Sequence, residues 1–76
     1  MDTEWPNSAI LVKKIRKQLT ISQEDLARQL GVSYATVNRW ENGQSNPSKL
    51  AKARLVSFCE KMMRQGKLVL PESENV

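Results

Sequence analysis

The sequence predicts one small all-α domain, and three observations support this. The chain has 76 residues, enough to enclose one hydrophobic core and no second one. Hydrophobic residues make up 39% of it, with a single Phe and a single Tyr, so the apolar material is mainly aliphatic and suits packed helices rather than disorder. Apolar residues recur at helical spacing along most of the chain. We expect a bundle of four to five helices over residues 8–66, with tails at 1–7 and 67–76.

Two short helices are predicted in the middle of the chain, one between Ser22 and Gly31 and one between Ser33 and Gly43. Each serine can cap a helix by accepting a hydrogen bond from a backbone N–H, and Asp25 can complete a capping box with Ser22. Gly31 stands where a left-handed residue would end the first of the two helices. The pattern therefore predicts a helix-turn-helix.

Longer amphipathic helices flank this pair. The first is predicted over residues 9–19, with an inner stripe of Leu11, Val12, Ile15 and Leu19. The last is predicted over about 48–65, where neither Gly nor Pro interrupts the sequence, with an inner stripe of Ala51, Leu55, Phe58, Cys59 and Met62. Val56 and Met63 flank that second stripe and leave apolar surface to explain.

Two interpretations of this apolar surface stay open. The residues concerned could form a self-association surface, or they could fold back on the first helix; they are Val56, Met63, Leu68, Val69 and Leu70. Self-association would make the protein a homodimer.

The exposed side of the second central helix carries groups that suit the edges of nucleobases. Arg can donate two hydrogen bonds to guanine, Asn can donate to and accept from adenine, and Ala or the Tyr ring can contact a thymine methyl group. The candidates for base contacts are Tyr34, Ala35, Thr36, Asn38 and Arg39.

The charge distribution favours a polyanionic partner. All twelve Lys and Arg residues lie between Lys13 and Lys67, a span with only four acidic residues, so its net charge is +8 whereas that of the whole chain is +4. Neutralising phosphates with such a surface releases condensed counterions. The alternative is that these side chains only solvate helix faces.

Several classes of function are disfavoured by the composition. The chain has no His and a single Cys, so we expect no metal site, no internal disulfide and no cofactor. The carboxylates show no paired arrangement of the kind that general acid and base catalysis uses, so we expect no enzyme activity. No apolar run approaches the ~20 residues that span a membrane, and no signal peptide is evident, so we expect a cytoplasmic protein.

The central segment resembles the helix-turn-helix of the lambda-repressor-like family, the Cro/cI or XRE type of DNA-binding domain. The resemblance covers roughly residues 10 to 50. It depends on Gln23, the Leu26-Ala27 pair, Gly31-Val32-Ser33, Val37 and the run Trp40-Glu41-Asn42-Gly43. It implies a small transcriptional regulator of bacterial, phage or plasmid origin that binds double-stranded DNA sequence-specifically, with the helix at residues 33–42 in the major groove.

The resemblance and the local chemistry also suggest which residues hold the DNA backbone. An amide at the start of a helix, beside unpaired backbone N–H groups, suits a phosphate. The candidate phosphate contacts are Gln23, Ser33, Asn42, Gln44, Ser45, Asn46 and Lys49. The resemblance further implies an ion pair between Arg16 and Glu41 that ties the first helix to the end of the recognition helix.

Three other functions stay open. The domain could target a larger DNA-modifying enzyme to DNA, it could be the antitoxin of a toxin–antitoxin pair, or it could be a protein-interaction adaptor that has the fold without DNA binding. The family usually divides its C-terminal region into two helices, whereas this sequence predicts one long helix there.

Overall fold

Four helices make up the computed structural model, which describes residues 8–69. They are α1 (Ser8–Leu19), α2 (Gln23–Leu30), α3 (Tyr34–Glu41) and α4 (Lys49–Arg64), and these residues contain no strand. The predicted all-α class is confirmed. The last helix is a single element of 16 residues. The predictions for residues 1–7 and for residues 70–76, which include Leu70, lie outside the described part of the chain.

The helix ends form where local hydrogen bonding favours them. The Ser22 hydroxyl accepts a hydrogen bond from the backbone N–H of Asp25 at 2.9 Å, and the Ser22 N–H donates to the Asp25 carboxylate at 3.3 Å. These two contacts form the predicted capping box of α2. Ser33 and Ser48 cap α3 and α4 by accepting hydrogen bonds from the backbone N–H groups of residues 36 and 51.

The core lies where the four helices meet. α2 packs against α3 and α4, and α1 packs against α3. The fully buried side chains come from all four helices and from the segment after α4; they are Val12, Ile15, Leu26, Leu30, Val37, Leu55 and Leu68. Trp40 is also buried, and so is Cys59, where desolvation raises the pKa of the thiol to about 11.

The segment after α4 packs back onto the bundle. Leu68 is only 2% exposed and belongs to the core, so its burial removes it from the candidate self-association surface. The neighbouring Val69 forms two hydrogen bonds through its backbone with the side-chain amide of Gln18 in α1, at 2.7 and 2.9 Å. Of the other candidates, Val56 and Val69 are exposed, whereas Met63 is half-buried against the core.

The described helices are all too short or too polar to cross a membrane.

Candidate nucleic-acid interface

A tight turn sets the angle between α2 and α3. Gly31 has φ +73°, the left-handed conformation that ends α2, and the Val32 N–H donates to the Ala27 carbonyl at 3.0 Å. Val32 packs against the core, and Ser33 starts α3 directly after it. Because the turn is closed by backbone hydrogen bonds and an apolar anchor, α3 is held against α2 in one orientation.

One face of α3 is buried and the opposite face is open. Val37, Trp40 and Glu41 are buried. At about 100° per residue, Ala35 and Arg39 fall on the other side of the helix, and both are exposed. Tyr34 lies nearly in line with Glu41 along the helix and is exposed as the first residue of α3. The structure therefore presents an Arg and a methyl group together on the accessible side of α3, with a Tyr ring at its N-terminal end.

The ion pair expected between Arg16 and Glu41 is present. Arg16 donates from Nε to Glu41 Oε2 at 2.6 Å and from Nη2 to Oε1 at 2.9 Å. The Glu41 side chain is only 3% exposed, and that of Arg16 is 25% exposed. A third Arg16 hydrogen bond, from Nη1, reaches the Ile21 carbonyl at 3.0 Å. The pair thus joins α1, the connection before α2, and the end of α3.

The pKa values of this pair show which protonation states it favours. Burial alone would raise the pKa of Glu41, but hydrogen bonds from Arg16 and Gln23, together with the charges of Arg16 and Lys13, outweigh it and lower this pKa. The hydrogen bond to Glu41 raises the pKa of Arg16. Both groups are therefore charged at neutral pH.

Three amide side chains extend from this ion pair along the α2–α3 contact. Gln23 Nε2 donates to Glu41 Oε1 at 3.0 Å, and Asn38 Nδ2 donates to Gln23 Oε1 at 3.1 Å. Asn42 Nδ2 then donates to Asn38 Oδ1 at 3.0 Å. We call Gln23, Asn38 and Asn42 the amide chain. Gln23 and Asn38 are half-buried, and Asn42 is exposed.

The remaining predicted contact residues lie at both ends of α3. Thr36 is half-buried, and its hydroxyl lies 2.9 Å from that of the capping Ser33. After α3, the backbone N–H of Gln44 donates to the Arg39 carbonyl at 2.9 Å. The rest of this loop leads to α4; Gln44, Asn46 and Lys49 are exposed and Ser45 is half-buried.

The sequence did not indicate the contacts among the amide chain. Nothing in the local spacing of Gln23 and Asn38, 15 positions apart, shows that their amides meet. The described residues contain no cluster of three or more His, Cys, Asp or Glu side chains that could hold a metal ion.

The helix-turn-helix family model matches residues 12–53, from within α1 to the first turns of α4. The chain belongs to the helix-turn-helix family. The match is to its XRE-type, lambda-repressor-like form, and the family is a small, non-catalytic, DNA-binding domain. Membership of this helix-turn-helix family implies DNA binding, and the matched residues include every predicted base and phosphate contact.

One protein relative gives a more specific context. The type II methyltransferase M1.ScrFI of Lactococcus lactis subsp. cremoris is 36% identical to this helix-turn-helix domain over 55 residues. The alignment covers 68% of the present chain and 14% of the methyltransferase, so the chain corresponds to a small part of that relative. No solved structure gives a significant match.

Proposed function

We propose that this protein binds double-stranded DNA sequence-specifically, as a small transcriptional regulator, by inserting α3 into the major groove. One observation carries the proposal: α3 is fixed to the bundle by its buried face and exposes Ala35 and Arg39 on the other, with Tyr34 exposed at its N-terminal end. A rigid helix with one accessible polar face is the element that the major groove of B-DNA admits.

Base reading falls mainly to Arg39 in this proposal. A guanidinium group can donate two hydrogen bonds to O6 and N7 of a guanine, which is the commonest specific contact in the major groove. Ala35 lies one turn before it on the same side of α3, and Tyr34 is exposed at the start of the helix; both can contact thymine methyl groups. Thr36 contributes less, because it is half-buried and its hydroxyl already contacts that of Ser33.

Phosphate contacts fix the position of the helix on the duplex. Gln23 is the first residue of α2, where the unpaired N–H groups and the positive end of the helix dipole favour an anion. Asn42, Gln44, Asn46 and Lys49 lie at or after the C-terminal end of α3, the end that Gln23 also contacts through Asn38 and Glu41. These candidates therefore gather beside the C-terminal half of the recognition helix, where they can fix its register on a phosphate backbone.

Affinity selection from random duplexes at two salt concentrations tests this function. We expect one enriched sequence and an affinity that falls steeply with salt, with a slope that counts the phosphates engaged. If two copies bind together, the selected sites will contain two inverted half-sites about one helical turn, or roughly 34 Å, apart. Equal recovery of all sequences, or binding that salt does not change, would refute the proposal.

Substitution of Arg39 sharpens the test. Arg39→Ala should relax the preference at one base pair by about 1–3 kcal/mol, because a bidentate contact to guanine is worth that much discrimination. Arg64→Ala in the last turn of α4 removes the same charge away from α3 and is the matched control. It should leave the preferred sequence unchanged. An unaltered preference in Arg39→Ala would remove Arg39 from the reading set.

A second candidate function is supported by the methyltransferase relative. In that case the domain would guide a larger DNA-modifying enzyme to DNA, with the same α3 surface. Sequencing the gene and its neighbours distinguishes the two. A methyltransferase reading frame fused to the chain would favour the enzyme, whereas a separate short gene near its own selected binding site would favour the regulator.

A further inference from the structure

The amide chain ends on a group that can only accept hydrogen bonds. An ionised carboxylate has no donor, and the carboxylate of Glu41 also receives two hydrogen bonds from Arg16. Gln23 must therefore turn its nitrogen toward Glu41, as it does at 3.0 Å. This choice leaves the Gln23 oxygen facing Asn38.

The orientation of each following amide is set by the one before it. Because Gln23 presents an oxygen, Asn38 must present its nitrogen, and its oxygen is then left to accept from Asn42. Every hydrogen bond in the chain thus points toward Glu41. Amide orientation is assigned from the surrounding hydrogen bonds, and here the fixed charge of one carboxylate determines all three.

Asn38 differs from Arg39 in its exposure and in its hydrogen bonds within the protein. Asn38 is half-buried, its nitrogen is bonded to Gln23 and its oxygen to Asn42, whereas Arg39 is exposed. The position of the Asn38 amide is therefore set by the protein. Its nitrogen bond also holds Gln23 from the side opposite to Glu41, so the Gln23 side chain is fixed at both its oxygen and its nitrogen.

We propose that Asn38 is a positioning residue that holds the Gln23 amide ready for a DNA phosphate, rather than a residue that reads a base. The inference rests on the proposed function, in which Gln23 contacts the backbone at the start of α2. A glutamine side chain loses rotamer entropy when it is ordered. With Asn38 in place, part of that ordering is complete before DNA arrives.

The experiment compares Asn38→Ala, Gln23→Ala and the double variant, using the duplex recovered by selection and a set with single base-pair changes. Gln23 keeps its hydrogen bond to Glu41 in Asn38→Ala, so only part of its order is lost, and we expect binding to weaken by about three- to tenfold for every duplex in the set. Gln23→Ala should weaken it at least as much. The double variant should bind like Gln23→Ala alone, since Asn38 acts through Gln23.

Arg39→Ala is the matched comparison on the same helix, because it should change the base preference while Asn38→Ala should not. Unfolding by urea shows whether each variant is folded, and Ala is a better helix former than Asn at a half-exposed site. A changed preference at one base pair in Asn38→Ala would make Asn38 a base reader and overturn the proposal. So would additive effects of the two single substitutions, or loss of the fold in Asn38→Ala.

The same measurements distinguish failure of the role proposed for Asn38 from failure of the proposed function. If the unaltered protein selects no sequence, the assignment as a sequence-specific regulator fails whatever the variants do. If it selects a sequence and Asn38→Ala alters which sequence is preferred, only the role given to Asn38 fails.

Discussion

Replacing Gly31 by alanine tests how the turn between α2 and α3 is held. Gly31 has φ +73°, and a Cβ placed there would lie 2.6 Å from Nη1 of Arg54. Real Cβ atoms essentially never come that close to another heavy atom, so the Arg54 side chain must move. The same Nη1 donates to the Leu30 carbonyl at 3.0 Å, one of the carbonyls left unpaired at the end of α2. The alanine therefore disturbs both the backbone and a side-chain cap.

The two contributions can be estimated separately. A left-handed conformation costs a non-glycine residue roughly 1–2 kcal/mol, offset by up to ~1 kcal/mol from the restricted unfolded chain, which leaves a net cost of about 1 kcal/mol. Arg54 is exposed, and its guanidinium is the end of a flexible side chain that can move aside at little cost, so loss of its hydrogen bond costs about 0.5–1.5 kcal/mol. Gly31→Ala should thus lower the free energy of unfolding by about 1.5–2.5 kcal/mol.

Gly66 supplies the matched control. It has φ +74° and open space around the position of a Cβ, so Gly66→Ala should cost only the backbone part, about 1 kcal/mol. Thermal unfolding followed by circular dichroism separates the two, because 1 kcal/mol shifts the Tm of a domain of this size by roughly 4–8 °C. In an Arg54→Ala background the extra cost of Gly31→Ala should disappear. Equal costs at Gly31 and Gly66, or an excess that persists without Arg54, would refute the reasoning.

Two other measurements examine the cap and the ion pair. Ser22→Ala should lower the free energy of unfolding by about 1 kcal/mol through loss of the cap, whereas Ser57→Ala, at an exposed site within α4, should change it by less than ~0.5 kcal/mol. Glu41→Gln should destabilise the fold at pH 7. Because folding lowers the pKa of Glu41 from its ordinary 4.5, its stabilisation is present above that value and is lost as the pH falls through the folded pKa. The difference in urea stability between Glu41→Gln and the unaltered protein should therefore shrink at pH 3; a constant difference would contradict this account.

The elements of this fold could be predicted from sequence because their signals are local. Ser22 and Asp25 are three residues apart and complete a capping box within one turn. The positive φ of Gly31 follows from the end of a helix and not from distant contacts. Such signals act over a few residues, so spacing in the sequence is enough to reveal them.

Contacts between elements could not be predicted in the same way. Arg54 reaches the end of α2 from the middle of α4, 24 positions away, and Leu68 enters the core from the segment after the last helix. The spacing of residues within α4 gives no information on what lies opposite each one. The contact of Arg16 with Glu41 was expected only because the resemblance to a known family implied an ion pair between these two residues.

The negative charge of Glu41 beside the proposed phosphate contacts needs a physical explanation. A lone carboxylate there would repel DNA and would be costly to bury. Arg16 balances the charge with two hydrogen bonds, so the pair adds no net negative charge to the interface. A neutral glutamine at this position could both donate and accept, and would leave either orientation open to the Gln23 amide. The carboxylate allows only one, so its contribution at this site is the fixed direction of the amide chain, and with it the donor that Gln23 offers to the DNA backbone in the proposed function.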